Sequence, residues 1–237
     1  MKYLVEGRNW LSLFCIDLYK IGHGTGPVKR NGYSINEKAM KSTRGRPRQF
    51  DQDAALAHIA SMFWEHGYNA TSTTDICAAL KISAPSLYAA FGSKEEMFRK
   101  SLEYYKQDNM PSILAPFRQH AQTRDAVEGF LMASAAAFTR TDRPSGCMIL
   151  LSTFRGSDAN SLGDLVKEVR AASQAALQKR LELALKQGEL PRRTNTHALA
   201  RFFLATQQGM ALQARDGASR KDLEAIARSA ILAWPQP

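Results

Sequence analysis

Acidic residues are under-represented in this chain. Its 237 residues hold 22 Asp and Glu against 32 Lys and Arg, a formal net charge of +10 and a pI near 9.7. An excess of that size favours a polyanion partner, either nucleic acid or an anionic membrane surface, over a neutral or cationic one. A soluble protein that is merely basic is the plain alternative. Cysteine is also sparse: Cys15, Cys77 and Cys147 are an odd number, widely spaced, with no CxxC. A disulfide framework or zinc site does not fit them, and a reducing compartment does. Long apolar runs are missing. The apolar run without a charge at about 10–16, WLSLFCI, is too short for a bilayer, and no clear cleavage site follows it. We therefore expect a cytoplasmic protein. No segment alternates with period two for long, which excludes a sheet, and no fixed-length repeat occurs. There is no nucleophile elbow, zincin motif, kinase loop or dinucleotide fingerprint, so an enzyme is not expected. No dense acidic or histidine cluster suggests a metal. His58 and His66 lack HExxH spacing and read as surface residues, and no cofactor is expected.

What is present is a hydrophobic content of 44%, enough for a packed core. Residues 1–43 differ from the rest. GHGTGPVKRNG at 22–32 is glycine-rich without a closing GK[ST], which reads as a flexible linker rather than a phosphate cradle. Met40 opens MKSTRGRPRQFD, and the expectation is that it is the natural start, with the first 39 residues an upstream extension. Lys41, Arg44, Arg46 and Arg48 follow with no acid among them, and Gly45 and Pro47 oppose helix there. This is a cationic arm: a solvated tail, or a strap for phosphates or a minor groove.

From Asp51 onward the chain reads as all-α. Asp51 is an N-cap candidate. Leu56, Ile59, Ala60, Phe63 and Trp64 recur at helical spacing until Gly67. Ser72 and Asp75 fit a capping box before a short second helix with Ile76, Ala79 and Leu80. Lys81-Ile82-Ser83 is a tight turn. Pro85 sits in the first turn of a third helix carrying Leu87, Tyr88 and Phe91, and Gly92 ends it. Ser93 and Glu96 form a second capping-box pattern, and the fourth helix runs toward Pro111. Further helices are expected over 123–140, a short CMILLSTF segment, a long stretch from Ser161 to Gly188, a helix over 195–215, and a last one capped by Ser219 and Asp222.

The second and third helices, joined by a tight turn, make a helix-turn-helix. The third is two turns long, short enough to enter a major groove about 12 Å wide. Leu87 and Phe91 can lock its inner face, leaving Ser83, Ala84, Ser86 and Tyr88 for base edges and phosphates. Ser93-Lys94 and Thr73-Thr74 bring helix N-terminal amides, hydroxyls and a cation beside the backbone. A helical corner with no DNA role is the alternative, and the arm before the first helix weighs against it. The G-Y-x-A-T-S stretch at 67–72, S-x-x-S-L-Y-x-x-F at 83–91 and S-K-E at 93–95 resemble the DNA-binding domain of TetR-family transcriptional regulators over about residues 44–105. SGCMIL at 145–150 and the last two helices look like those of the drug- or stress-responsive branch.

The resemblance implies a DNA-binding domain at 44–105 and a helical effector-binding and dimerisation domain at 106–237, while the flexible extension expected at 1–43 departs from the family pattern. It implies a ligand-responsive homodimer, usually a repressor, released from a palindromic operator by a small molecule. Family phosphate and base contacts map onto Thr73, Thr74, Ser83, Ala84, Ser86, Leu87, Tyr88 and Lys94, with Arg44, Arg46 and Arg48 in the arm. For the dimer, the stripes Leu199, Phe203, Met210, Leu223, Ile226, Ala230 and Trp234 could form a four-helix bundle with their symmetry mates, or pack on the chain's own core. Phe117, Phe130, Phe138, Cys147, Met148, Phe154, Phe202 and Gln207 could line an apolar effector pocket, or be ordinary core. Cys147 is either a thiol sensor near a helix N-terminus or a buried inert residue. A nonspecific or architectural DNA-binding protein is the competing function. It predicts a steep salt dependence with little sequence preference.

Overall fold

A computed structural model describes residues 51–152 and 159–236, and among the described residues every regular element is a helix. In chain order they are α1 (Gln52–Ala70), α2 (Thr73–Leu80), α3 (Ala84–Phe91), α4 (Lys94–Leu114), α5 (Pro116–Gln119), α6 (Thr123–Phe138), α7 (Met148–Leu151), α8 (Ala159–Lys186), α9 (Thr196–Arg215) and α10 (Arg220–Ile231). None is long and apolar enough to cross a membrane.

Local chemistry sets most of the boundaries. The Asp51 carboxylate accepts the N–H groups of Asp53 and Ala54, each at 3.1 Å, and starts α1. Gly67, at φ 80° and ψ 168°, breaks it before the last turn. Reciprocal capping boxes open α2 (Ser72 with Asp75), α4 (Ser93 with Glu96) and α10 (Ser219 with Asp222). Lys81 ends α2 in the left-handed region, and Gly92 separates α3 from α4. The fourth helix outlasts its proline. Pro111 lies inside α4, on the exposed side, so the carbonyl it cannot bond faces water.

Two packed regions share α4. In the first, α1 lies along α4. Phe63 meets Phe98 edge-on at 5.3 Å, and Trp64 meets Tyr105 edge-on at 4.9 Å. The second packs α6 against α10, α9 against α8 and α6, and α5 against α6. α4 passes the 105/106 position without interruption and so belongs to both regions. Arg215, at the end of α9, adds a second link. Its Nη2 donates to the Trp64 carbonyl at 2.6 Å and its Nη1 to the Glu65 carbonyl at 3.3 Å.

Candidate nucleic-acid interface and effector cavity

Leu87 and Phe91 turn inward from α3 and pack with Ile76 of α2 and the α1–α4 core, and all three are buried. The opposite side of α3 leaves Ser83, Ala84, Ser86 and Tyr88 exposed. Ser83 caps α3, with its Oγ 2.9 Å from the Ser86 Oγ. The Tyr88 hydroxyl donates to the Thr73 Oγ1 at 3.3 Å, tying the outer face of α3 to the start of α2. Thr74 is exposed beside it. The Lys94 ammonium stands 4.4 Å from the centre of the Tyr68 ring at the start of α4. One continuous surface therefore carries four hydroxyls, a phenol and a cation. Leu87 does not belong to it, because its side chain is fully buried and holds α3 in place. The arm residues Arg44, Arg46 and Arg48 lie outside the described residues.

A narrow cavity of about 50 Å³ sits between α4, α5, α6, α7, α8 and α9. Phe117, Phe130, Phe138, Cys147 and Gln207 line it. Met148 is buried elsewhere in the core and does not reach it. Phe202 is 43% exposed on the outside of α9, because helical spacing turns it away from its buried neighbour Phe203. Phe154 lies outside the described residues. The aromatic spacing carried no hint of the polar wall residues Lys106, Arg170 and Ser173. Inside, Gln207 donates from Nε2 to the Ser134 Oγ at 2.8 Å, and Ser134 donates to the Phe130 carbonyl. The Tyr105 hydroxyl donates to the Cys147 Sγ at 3.0 Å. Burial pushes both the Cys147 thiol and the Tyr105 phenol up from their ordinary pKa values. At Cys147 desolvation outweighs the neighbouring helix amides, so the geometry favours a protonated, unreactive thiol.

The last two helices use their predicted stripes internally. Phe203, Met210, Leu223, Ala230 and Trp234 are buried within the chain, with Leu199 and Ile226 partly so. Phe203 packs on Trp234 at 5.9 Å. The outward faces are different residues: Phe202, Ala205, Gly209 and Leu212 on α9, and Ala225, Ser229 and Leu232 at and beyond α10. Leu212 is 54% exposed and Leu232 82%. Helical spacing from Phe202 to Leu212 was the available signal, but the larger inward stripe obscured it.

Comparison with known proteins agrees with this layout. Residues 55–100 match the family described as bacterial regulatory proteins, tetR family. Over 201 residues the chain is 36% identical to the HTH-type transcriptional repressor ComR of Escherichia coli strain K12, covering 84% of this chain and 96% of that protein. It is similar to the solved TetR family transcriptional regulator CifR, a cysteine mutant complexed with a 26 bp double-strand operator DNA, at 32% identity and TM-score 0.74, covering 81% of this chain and 100% of that one. AibR, in complex with isovaleryl coenzyme A and operator DNA, shares the fold at TM-score 0.61 and 18% identity, over 78% of this chain and 99% of that one.

Proposed function

This chain belongs to the TetR family of bacterial transcriptional regulators, and we propose that it is a repressor acting as a homodimer on a palindromic operator, released by a small-molecule effector. One observation carries the reading: a two-turn helix with buried Leu87 and Phe91 presents Ser83, Ala84, Ser86 and Tyr88 outward. In this proposal residues 44–105 form the DNA-binding unit and 106–237 the effector and dimer unit. Ser86 and Ala84 face base edges. Thr73, Thr74, Ser83, Tyr88 and Lys94 hold phosphates, and Arg44, Arg46 and Arg48 strap the adjacent groove.

Two such helices must sit about 34–36 Å apart to read both halves of a palindrome. The exposed Phe202, Leu212 and Leu232, interleaved with Ala205, Gly209 and Ala225, supply an apolar, small-residue face suited to a symmetric partner. The effector enters the cavity beside α4. That cavity is narrow in this state, so a ligand that needs more room favours a state with α4 displaced, and the ligand's differential affinity sets how far the equilibrium moves.

The test is a footprint on the DNA directly upstream of this gene, with a large excess of unrelated DNA, at two salt concentrations. A protected palindrome that survives competitor is expected. Random-sequence selection that yields no preferred site would leave only a general polyanion grip and refute specific regulation.

A further inference from the structure

Carbon dominates the wall of the cavity, and among the described residues its charged groups are Lys106 and Arg170, both cationic. Lys106 is 8% exposed, an unusual position for an ammonium, whose desolvation is offset only by close pairing. It pairs with Glu103 on the same helix at 2.9 Å, and that carboxylate is 40% exposed. The Arg170 Nη1 donates to the carbonyls of Ile149 and Ser152, both at the long distance of 3.4 Å. Its positive field also reaches Cys147, where it opposes the burial-driven rise of the thiol pKa, so the guanidinium lies near the same wall. Lys106, Ile149 and Val169 are shared with a larger cleft of about 510 Å³ between α4 and α8. Lys106 therefore stands where the inner cavity meets the cleft.

We infer that the effector is an organic carboxylate with a small apolar body, its head group received by Lys106 and Arg170 and its body by Met110, Phe117, Phe130 and Leu177. The inference rests on the effector reading proposed above. The narrowness of the inner cavity disfavours a bulky polyanion. A ligand carboxylate can replace Glu103 at the Lys106 ammonium, and Glu103, already partly exposed, turns to water. Both residues belong to α4, whose N-terminal turn follows the recognition helix directly. Exchange of the ion pair therefore occurs on the element that joins the two regions.

The experiment uses the full chain and six probes at millimolar concentration: benzoate and hexanoate, their amides benzamide and hexanamide, and the amines benzylamine and hexylamine. Melting temperature and release of the footprinted operator are read for each. The carboxylates are expected to raise the melting temperature and release DNA, and the amides and amines to do neither. Lys106→Met should weaken the carboxylates by about tenfold to a hundredfold, while Lys106→Arg retains them. Arg170→Met gives the second variant should Lys106→Met fail to fold. Amides or amines that bind as well as the carboxylates, with binding abolished by the cavity-filling Leu177→Trp, would overturn the anion assignment and leave the effector reading standing. Stabilisation by none of the six would overturn both.

Discussion

Replacing Gly92 by alanine attacks the joint between the recognition helix and α4. Gly92 has φ 80° and ψ −152°, a region open essentially to glycine alone, and forcing a side chain there costs about 1–3 kcal/mol. A second cost comes from Glu96. A Cβ at residue 92 would meet a Glu96 carboxylate oxygen and lie 2.8 Å from its carboxyl carbon. That same oxygen accepts the Ser93 N–H at 2.7 Å, so moving it opens the capping box that starts α4. Gly67 provides the internal reference. Its backbone is also at φ 80°, but a Cβ there meets nothing within 4 Å. Gly67→Ala should therefore show the backbone cost alone, and Gly92→Ala a larger loss. In a Glu96→Ala background the excess should shrink. Urea unfolding at one fixed protein concentration measures the wild type, the three single variants and the double variant, since association would make stability concentration-dependent. Operator affinity should fall for Gly92→Ala, because α3 is re-aimed. If Gly92→Ala loses no more stability than Gly67→Ala, the contact with Glu96 is unimportant and the reasoning fails.

Leu232→Glu places a charge on the most exposed large apolar side chain among the described residues and should convert the proposed dimer to a monomer by light scattering, whereas an unchanged mass moves the interface elsewhere. Lys94→Ala should weaken all DNA alike and flatten the salt dependence by about one unit of slope. An unaltered slope removes Lys94 from the phosphate contacts. The Asp75 carboxyl is held below its ordinary range by hydrogen bonds from the Ser72 hydroxyl and then the Ser72 backbone N–H. A lowered folded pKa gives stability that is present above the unfolded value, about 3.9, and is lost as pH falls through the folded one. The melting-temperature gap between wild type and Asp75→Asn should then close as pH drops below about 4, and a gap independent of pH would contradict this. Cys147 should resist iodoacetamide at pH 8 while the less buried Cys77 reacts, as read by peptide mass spectrometry. Equal labelling would restore Cys147 as a thiol sensor.

The helix-turn-helix was legible because each of its signals is local. Ser72, Ser83 and Ser93 bond N–H groups within three residues of themselves, and Gly92 supplies its own backbone conformation. The cavity was legible only in part. Phe117, Phe130 and Phe138 are conspicuous in the sequence, but Lys106 looks there like any lysine on a charged helix. Its place on the cavity wall depends on α7, which packs on α4, and on α8, which lines the same cavity, both more than forty residues away in the chain.

The sequence by itself determined where the capped helices begin, the short polar-faced α3, and the basic character of the chain. Caps, glycines and net charge act within a turn or require no neighbours at all. Only the tertiary structure decided which way α9 and α10 face. Both carry apolar residues on two sides, Phe203 beside Phe202 and Ile231 beside Leu232. The side that enters the core is the one that α6 and α8 can cover. Tertiary packing also buried Leu87 in the core and brought Lys106 and Arg170 to one cavity, because burial depends on contacts between segments far apart in the chain.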